Sequence, residues 1–402
     1  MRSSLSLLLA TAAATVSAQT QFTATSAQDV YAAQATARTR SPVSHVRGRA
    51  FDRIAIIWLE NTDYTLAAGD PNLAFLASKG IKLSNNFAVT HPSEPNYAAS
   101  HGGDYFGMDN DNFNFVDKNI TTIVDLLEDA GISWGEYQED MPYSGFEGFS
   151  WVNQQNGKND YVRKHNPAVL YNSNTQHLDR LQQMKNLTMF YDDLKRGTLP
   201  QWMFITPNMT SDGHDSSVTV AGAWTRNFVE PLLTDRRFMQ NTLVLITFDE
   251  NGSYGEQNRI LGILLGDAVP QHLVGTTDAH FYNHYSTIAT VEANWNLPTL
   301  GRWDVGANVY QLVAQRTGDL LREFNPRNLA KHFYNESYDG VFNSAPHYAV
   351  YPKPNLALIR NWRFVSLRVI ATWIWSSKPT YYTDTIEVND GLNPPAHYNF
   401  KK

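Results

Sequence analysis

Four short apolar runs, each about the length of a β-strand, constrain most strongly what this chain can fold into. They lie at residues 54–59, 202–206, 243–248 and 260–265. The first carries β-branched residues on both faces, as a strand buried in a parallel sheet does. Helix-like segments occur between the runs, and strands that alternate with helices indicate an α/β domain with a mostly parallel sheet.

Six segments have the spacing and the end signals of helices. They are expected at residues 72–79, 120–130, 188–195, 220–230, 286–294 and 309–322. Pro231 is expected to end the fourth, because proline has no backbone N–H to donate. Residues 132–185 are rich in Gln, Asn and Tyr, so we expect loops there that cap the sheet or shape a substrate pocket.

The two ends of the chain differ in composition from its middle. Residues 1–18 carry an early arginine, an apolar stretch and small residues before a cut site after Ala18, which is the pattern of a secretory signal peptide. Residues 19–49 are expected to form a flexible leader, and residues 50–340 the main folded domain. Residues 341–402 are expected to form an irregular tail. Its composition changes after Pro354, as a retained intron in the gene would cause, so whether that part belongs to the protein stays open.

The bulk composition excludes several classes of protein. The 402 residues include no cysteine, which rules out thiolate metal sites, thiol nucleophiles and disulfides. The net charge of −7 gives no reason to expect nucleic acid or an anionic membrane as a partner. The apolar stretches are too short to span a bilayer. Five sequons predict N-linked glycans on a secreted protein, at Asn119, Asn186, Asn208, Asn251 and Asn335.

A serine between two prolines stands out at residues 90–97 (Thr-His-Pro-Ser-Glu-Pro-Asn-Tyr). The prolines restrict the backbone around Ser93, and the residues that follow suit a helix. The Ser93 hydroxyl would then lie at a helix N-terminus, where free N–H groups favour an anion. Such a serine is a candidate nucleophile towards phosphate or sulfate esters. A proline-rich surface turn is the alternative.

Acidic and amide residues follow three of the predicted strands. They are Glu60-Asn61, Pro207-Asn208 and Asp249-Glu250-Asn251-Gly252. Because the carboxyl ends of parallel strands meet at one edge of a sheet, these side chains would crowd together, and a cation would relieve their repulsion. Oxygen ligands from Glu60, Asn61, Asp249, Glu250 and Ser93 suit Mg²⁺, Ca²⁺ or Mn²⁺. Zinc would usually take more imidazole, but the identity of the metal stays open. Helix caps and turns are the alternative for each pair.

Two histidine patterns are candidates for chemistry. His214 lies between Asp212 and Asp215, and carboxylates can hold an imidazole in one tautomer so that it protonates a leaving group. A capped turn explains the same residues equally well. His280 and His284 are four residues apart and would share a helix face, as zinc ligands do, or would simply pair locally. Residues 109–111 match part of a Ca²⁺-binding loop but lack its other ligands, and we exclude them.

Taken in order, these blocks resemble the phosphoesterase family that joins secreted fungal acid phosphatases to bacterial acid phosphatases and phospholipases C. The likeness covers residues 50–335, and the ordered set is far more specific than any block alone. The resemblance implies a core similar to that of alkaline phosphatase, with the central sheet sandwiched by helices. Residues 62–64 (Thr-Asp-Tyr) depart from the phospholipase branch, which favours the fungal phosphatases.

The resemblance also implies roles for individual residues. Ser93 would be the nucleophile and a metal ligand. The other metal ligands would be Glu60, Asn61, Asp249 and Glu250. Asn96 would hold a phosphate oxygen and His214 would lie at the phosphate. Asp212 and His284 complete the expected substrate-binding set.

The sequence therefore predicts a secreted acid phosphatase that hydrolyses small phosphate monoesters through a metal-assisted phosphoserine. A phospholipase C acting on lipid head groups is the first alternative, and a secreted phosphate- or glycan-binding protein without turnover is the second. The physiological substrate, the number of metals, the oligomeric state, the pH optimum and any attachment to the cell wall stay open.

Overall fold

The computed structural model describes residues 26–343, 351–371 and 380–391, and the predicted signal peptide lies outside these ranges. The strands are β1 (Arg53–Leu59), β2 (Ile81–Phe87), β3 (Trp134–Gln138), β4 (Ser150–Val152), β5 (Asn159–Val162), β6 (Met184–Asn186), β7 (Trp202–Thr206), β8 (Thr242–Phe248), β9 (Arg259–Leu265), β10 (Thr276–Asp278), β11 (Tyr282–Asn283), β12 (Ile359–Arg360) and β13 (Arg363–Phe364).

The helices flank these strands along the chain. They are α1 (Ala27–Gln34), α2 (Tyr64–Gly69), α3 (Pro71–Ala77), α4 (Ser93–Gly102), α5 (Ile123–Asp129), α6 (Asn172–Thr175), α7 (Leu178–Leu181), α8 (Thr188–Arg196), α9 (Val218–Leu232), α10 (Arg236–Met239), α11 (His284–Trp295), α12 (Trp303–Gly306), α13 (Gln311–Thr317), α14 (Pro326–Leu329) and α15 (Leu367–Ala371).

One nine-stranded sheet forms the centre of the molecule, in the order β10-β2-β9-β8-β1-β7-β3-β6, with β11 also paired to β2. Within the described ranges, β9 runs antiparallel to both of its neighbours, and the other pairings of this sheet are parallel. The four apolar runs of the sequence are β1, β7, β8 and β9. The prediction of an α/β fold with a mostly parallel sheet is confirmed.

Both faces of the sheet are covered, and β1 shows why. Ile54, Ile56 and Trp58 belong to the apolar core on one face. Ala55, Ile57 and Leu59 belong to the core on the other. Side chains alternate along a strand, so a strand that is apolar at every position must be buried on both sides. Helices α4, α5 and α11 pack on the first face, and α3, α8 and α9 on the second.

The largest error of the sequence interpretation concerns residues 132–185. They contain β3 and β6 of the main sheet, where only loops were expected. β3 is fully buried yet carries a glutamate, Glu136, whose carboxylate accepts a hydrogen bond from the Ala168 N–H at 3.1 Å. His101 Nε2 lies 3.1 Å from the same oxygen. Both partners are far from Glu136 in the sequence. The residues of β3 by themselves therefore look too polar for a buried strand.

Two helix ends also differ from expectation. Helix α9 runs through Pro231 and ends one residue later, at Leu232. The proline removes one backbone N–H donor and crowds the preceding turn, and the helix extends only that one residue past it. Helix α13 ends at Thr317, five residues early, where Gly318 adopts φ 76°. A residue with positive φ ends a helix readily, and glycine adopts it without a steric penalty.

The segments on either side of the main domain lie against it where they are described. The Ser44 hydroxyl is 2.9 Å from Ser133 Oγ and 2.6 Å from Gln201 Oε1. In the tail, Val365 and Tyr382 are buried in the first core. The domain boundaries drawn from the sequence stay a prediction. No helix within the described ranges is both long and apolar enough to cross a membrane.

Candidate active site

The acidic residues predicted at the strand ends come together at one edge of the sheet. Glu60 directly follows β1, and Asp249 and Glu250 directly follow β8. The two strands are parallel neighbours, with Leu59 paired to Phe248, so their carboxyl ends coincide. All three carboxylates are buried. The Ser93 segment reaches this edge from β2, a strand that the sequence analysis did not identify.

Ser93 is the first residue of α4 and is 2% exposed. Its hydroxyl donates a hydrogen bond to Glu60 Oε2 at 3.2 Å. The Tyr97 hydroxyl, one turn later on the same helix, donates to Glu60 Oε1 at 2.5 Å. The helix thus presents two hydroxyls to one buried carboxylate, and the candidate nucleophile lies in direct contact with the acidic cluster.

Asn61 occupies the turn after β1 with φ 47°, a left-handed conformation that asparagine adopts more readily than most residues. Its backbone N–H donates to Asp249 Oδ1 at 3.1 Å. Its side-chain Oδ1 is buried and has no hydrogen-bond partner among the described residues. A buried acceptor without a donor costs free energy, so this oxygen fits a metal ligand.

A second set of ligand atoms surrounds Glu60. Nitrogen and oxygen atoms of Glu60, His165 and Asp212 all lie within 4.8 Å of one another, and the three residues are buried. His165 Nε2 is 3.4 Å from Glu60 Oε2, and its Nδ1 is 3.3 Å from Asp212 Oδ2. Such a group can hold a metal ion. Asp212 was expected at the substrate, and the structure places it within this group.

Sequence reasoning missed His165. It lies in a short 3₁₀ turn within residues 132–185, which were expected to be loops. Its ring stacks on Tyr97 of α4, with the centroids 5.1 Å apart. No strand end or local motif marks it, so only the packing of this turn against α4 reveals its place.

The electrostatics of the cluster favour a bound cation. Burial raises the pKa of Glu60 well above its ordinary value, and the charges of Asp249 and Asp212 raise it further. Burial also raises the pKa of Asp249 and of Glu250. Conversely, burial lowers the pKa of His165 well below its ordinary value, which leaves the ring neutral. Carboxylates, an amide oxygen and a neutral imidazole are the donors that divalent metals bind.

Comparisons with known proteins identify the family. The model of the Phosphoesterase family matches residues 65–298. The chain belongs to the Phosphoesterase family.

Its relatives include an acid phosphatase of Aspergillus fumigatus, 52% identical over 85% of this chain and 77% of that protein. A phosphate-repressible acid phosphatase of Penicillium chrysogenum is 53% identical over 83% of this chain and 80% of that protein. A phosphatidylinositol-3-phosphatase of Mycobacterium tuberculosis is 27% identical over 62% of this chain and 79% of that protein. The predicted family and the predicted class of enzyme, a phosphoric monoester hydrolase, are confirmed.

Asn96 of this phosphoesterase holds together the loop that leads to Ser93, the candidate nucleophile. Its Oδ1 accepts hydrogen bonds from the N–H groups of Val89 at 3.0 Å and Thr90 at 3.3 Å. Its Nδ2 donates to the Thr90 carbonyl at 2.8 Å and lies 3.4 Å from Glu250 Oε2. The amide is therefore engaged mainly with backbone, and its contact with a phosphate oxygen stays a prediction.

Glu250 contacts His91. His91 Nδ1 lies 2.8 Å from Glu250 Oε2, and the His91 ring stacks on Tyr254 with the centroids 3.7 Å apart. Burial lowers the pKa of His91 to about 3, so the ring is neutral.

Asn251, which follows Glu250, is one of the five predicted glycosylation sites. It is 2% exposed, and its amide nitrogen donates to the Ser253 carbonyl at 3.0 Å. Because Asn251 is buried, it is poorly accessible for the attachment of a glycan.

His214 lies at the rim of the site. Its Nδ1 is 2.7 Å from Asp215 Oδ1, and its Nε2 is 3.3 Å from Lys164 Nζ. Lys164 Nζ also donates to Asp111 Oδ2 at 2.8 Å. Lys164 was not among the residues expected at the site, and Asp111 was excluded with residues 109–111. The Asp215 carboxylate was expected to orient the imidazole, and its position fits that role.

The two histidines near α11 do not form a pair. His284 is the first residue of the helix, and its Nε2 is 2.6 Å from the Asp249 carbonyl oxygen. His280 precedes β11, and its Nδ1 contacts Asp278 Oδ1 at 2.6 Å. The idea of a shared helix face is therefore wrong, because the helix begins only after the Asn283 cap. His284 lies behind Asp249, and its predicted contact with substrate stays a prediction.

Proposed function

We propose that this phosphoesterase is a secreted acid phosphatase that hydrolyses phosphate monoesters through a phosphoserine at Ser93, with a divalent metal at the carboxylate cluster. One observation carries the proposal: Ser93 is the first residue of a helix, and its hydroxyl lies 3.2 Å from Glu60 Oε2, a buried carboxylate of that cluster. The acid phosphatases among its relatives support the substrate class. Secretion rests on the pattern of residues 1–18.

The predicted metal ligands are Glu60, Asn61, Ser93, Asp249 and Glu250, and His165 and Asp212 are close enough to join them. A bound divalent cation would lower the pKa of the serine hydroxyl and neutralise charge on the transferring phosphoryl group. The unpartnered Asn61 oxygen and the buried carboxylates support this use of the site.

The first chemical step forms the phosphoserine. Ser93 Oγ attacks phosphorus, and the bond from phosphorus to the leaving oxygen breaks. Glu60 Oε2 already accepts the hydrogen bond of the serine hydroxyl, so it is placed to receive the proton. His214, held through Nδ1 by Asp215, donates a proton to the departing alkoxide.

The second step reverses these roles with water as the attacking group. His214, now without its proton, takes one from water, and the water oxygen attacks phosphorus. The bond from Ser93 Oγ to phosphorus breaks, Glu60 returns its proton to Oγ, and inorganic phosphate is released. Asn96 and the N-terminus of α4 are proposed to stabilise the equatorial oxygens in both steps.

The test is the Ser93→Ala variant, assayed with p-nitrophenyl phosphate. We expect turnover to fall at least about a thousandfold, because the covalent route is lost, while the thermal unfolding midpoint is kept. Ser100→Ala is the matched control, since that hydroxyl lies on the same helix and bonds the Tyr97 carbonyl. Turnover that survives in Ser93→Ala would refute the role. Phosphatidylcholine, assayed in parallel, is expected to be a poor substrate.

A further inference from the structure

Lys164 contacts His214 at the rim of the site, and the proposed mechanism gives it no role. It lies in the same 3₁₀ turn as His165, and its side chain is 14% exposed. Its ammonium is 2.8 Å from Asp111 Oδ2 and 3.3 Å from His214 Nε2. The neighbouring Arg163 points elsewhere, with its guanidinium bound to the Asn114 and Val169 carbonyls. Lys164 therefore brings positive charge to a rim that is otherwise acidic.

The position of this ammonium is fixed from two sides. Asp111 accepts a hydrogen bond from Lys164 through Oδ2 and another from the Glu94 N–H through Oδ1, at 2.9 Å. Glu94 follows the nucleophile in the first turn of α4. One carboxylate thus ties the ammonium to the helix end that carries Ser93. The second tie is His214, the proposed proton donor to the leaving group.

A stabilising ion pair alone would explain this geometry poorly. Ion pairs at an exposed surface contribute little to stability. This lysine is mostly buried, and the charges of Glu60 and Asp249 act on it as well as that of Asp111. Asp111 accepts one of the three hydrogen bonds that the ammonium can donate, and His214 Nε2 accepts another only while that nitrogen carries no proton, as after it has protonated the leaving group. Lysine is a common point-charge ligand of phosphate. The carboxylates repel a dianionic phosphoryl group beside Ser93, and the ammonium adds to the positive charge of the proposed cation in offsetting that repulsion.

We infer that Lys164 binds a non-bridging oxygen of the phosphoryl group, and that Asp111 positions its ammonium for that contact. The inference rests on the proposed function, since it takes the phosphoryl group to react at Ser93. Because the contact is to the phosphoryl group and not to the alcohol, it applies equally to every phosphate monoester. Inorganic phosphate, the product, makes the same contact.

The experiment compares Lys164→Met, Lys164→Arg and Asp111→Asn with wild type. The inhibition constant of inorganic phosphate and the values of kcat and KM are measured with p-nitrophenyl phosphate and two alkyl phosphates. For Lys164→Met we expect a rise of about tenfold or more in the inhibition constant and a fall of about 10–100-fold in kcat/KM, similar for all three esters. Lys164→Arg should restore most of both, and Asp111→Asn should show a smaller loss of the same kind.

Lys158→Met is the matched control, because Lys158 is exposed on the nearby β4–β5 hairpin. The thermal midpoint is measured with and without inorganic phosphate. A lowered midpoint with an unchanged inhibition constant would overturn the inference and leave a structural ion pair. If Lys164→Met does not fold, Lys164→Gln takes its place under the same criteria. If Ser93→Ala retains activity, the proposed function fails instead, so the two failures are distinguishable.

Discussion

The surroundings of Ser93 illustrate how single residues create the site. The hydroxyl bonds Glu60 directly, and the Tyr97 hydroxyl bonds the other oxygen of the same carboxylate. The carboxylate itself is fully buried after β1. A buried glutamate with two hydroxyl donors is held in one orientation, so the contact between Ser93, the proposed nucleophile, and Glu60 forms as part of the fold.

His214 allows a sharper test of the mechanism at the same scale. A proton donor to the leaving group matters most when the alcohol is a poor leaving group. We expect His214→Ala to reduce kcat/KM about 10²–10⁴-fold for alkyl phosphates and far less for p-nitrophenyl phosphate, whose phenolate leaves without a proton. The measurement is a plot of log kcat/KM against the pKa of the leaving alcohol, which should be steeper for the variant.

His272→Ala serves as the control for that series, because His272 is exposed in a separate 3₁₀ turn. Parallel plots for His214→Ala and wild type would mean that another group supplies the proton. An equal loss for all esters would point to phosphate binding as the role of the imidazole.

At the scale of elements, the site depends on which strands are neighbours. β1 and β8 are parallel neighbours, so Glu60 and Asp249 come together although they are far apart in the sequence. Asn61, which follows Glu60, bonds Asp249 across 188 residues of chain. Helix α4 adds Ser93, and Asn96 ties the start of that helix to the loop after β2. The elements thus concentrate negative charge in a buried place, which only a cation or protons can balance.

Removal of metal tests this balance. We expect dialysis against a chelator to abolish activity and to lower stability at pH 7, because the carboxylates then repel one another without compensation. When the free metal concentration is about 100 times the dissociation constant, binding adds about 2.7 kcal/mol to the free energy of unfolding. The thermal midpoint and the metal content are measured before chelation, after it and after return of each candidate ion.

Glu60→Gln provides the internal comparison for chelation. It removes one charge from the cluster, so its apo form should be less destabilised than that of wild type, while its activity should stay low with any metal. A wild-type protein that keeps full activity after its metal content has fallen to background would contradict the proposed cofactor.

For the whole molecule, buried carboxyl groups away from the site link stability to pH. Glu292 on α11 is fully buried, and burial raises its pKa well above the ordinary value, with a further increase from the charge of Asp304. Arg363 opposes the shift. Burial also raises the pKa of Asp104, which accepts a hydrogen bond from the Tyr381 hydroxyl at 3.0 Å. Such groups are neutral in the folded state at pH values where they ionise in the unfolded chain.

The sign follows from proton counts. Above the ordinary pKa of glutamate, the folded state holds a proton on Glu292 that the unfolded state has lost, so stability falls as pH rises towards the folded pKa, by at most about 1.4 kcal/mol per pH unit and group. We expect Glu292→Gln to match wild type near pH 4 and to become progressively more stable than wild type towards pH 7.

Urea unfolding at pH 4.5, 5.5, 6.5 and 7.5 measures this difference. Glu323→Gln, at an exposed position of the chain, is the control and should show no such trend. A difference between Glu292→Gln and wild type that does not vary with pH would contradict the assignment of the proton to Glu292.

Much of the fold followed from local pattern, and the failures have a common cause. β1, β7, β8 and β9 are apolar along their length, so burial is written into their composition. β2 and β3 carry polar residues that find their partners only after folding, and both were missed. Lys164 and His165 were missed for the same reason, since their turn carries no local signal until it packs beside α4.

The sequence by itself determined the α/β class and the family, and it predicted the set Glu60, Asn61, Ser93, Asp249 and Glu250, because strand ends and short motifs are local features that can be read without coordinates. Only the tertiary structure decided that His165 and Asp212 contact the Glu60 side of the cluster, that Asp111 and Lys164 close its rim, and that Asn96 is engaged with backbone. Those contacts join segments far apart in the chain, and the burial that sets their charge states exists only once the segments pack.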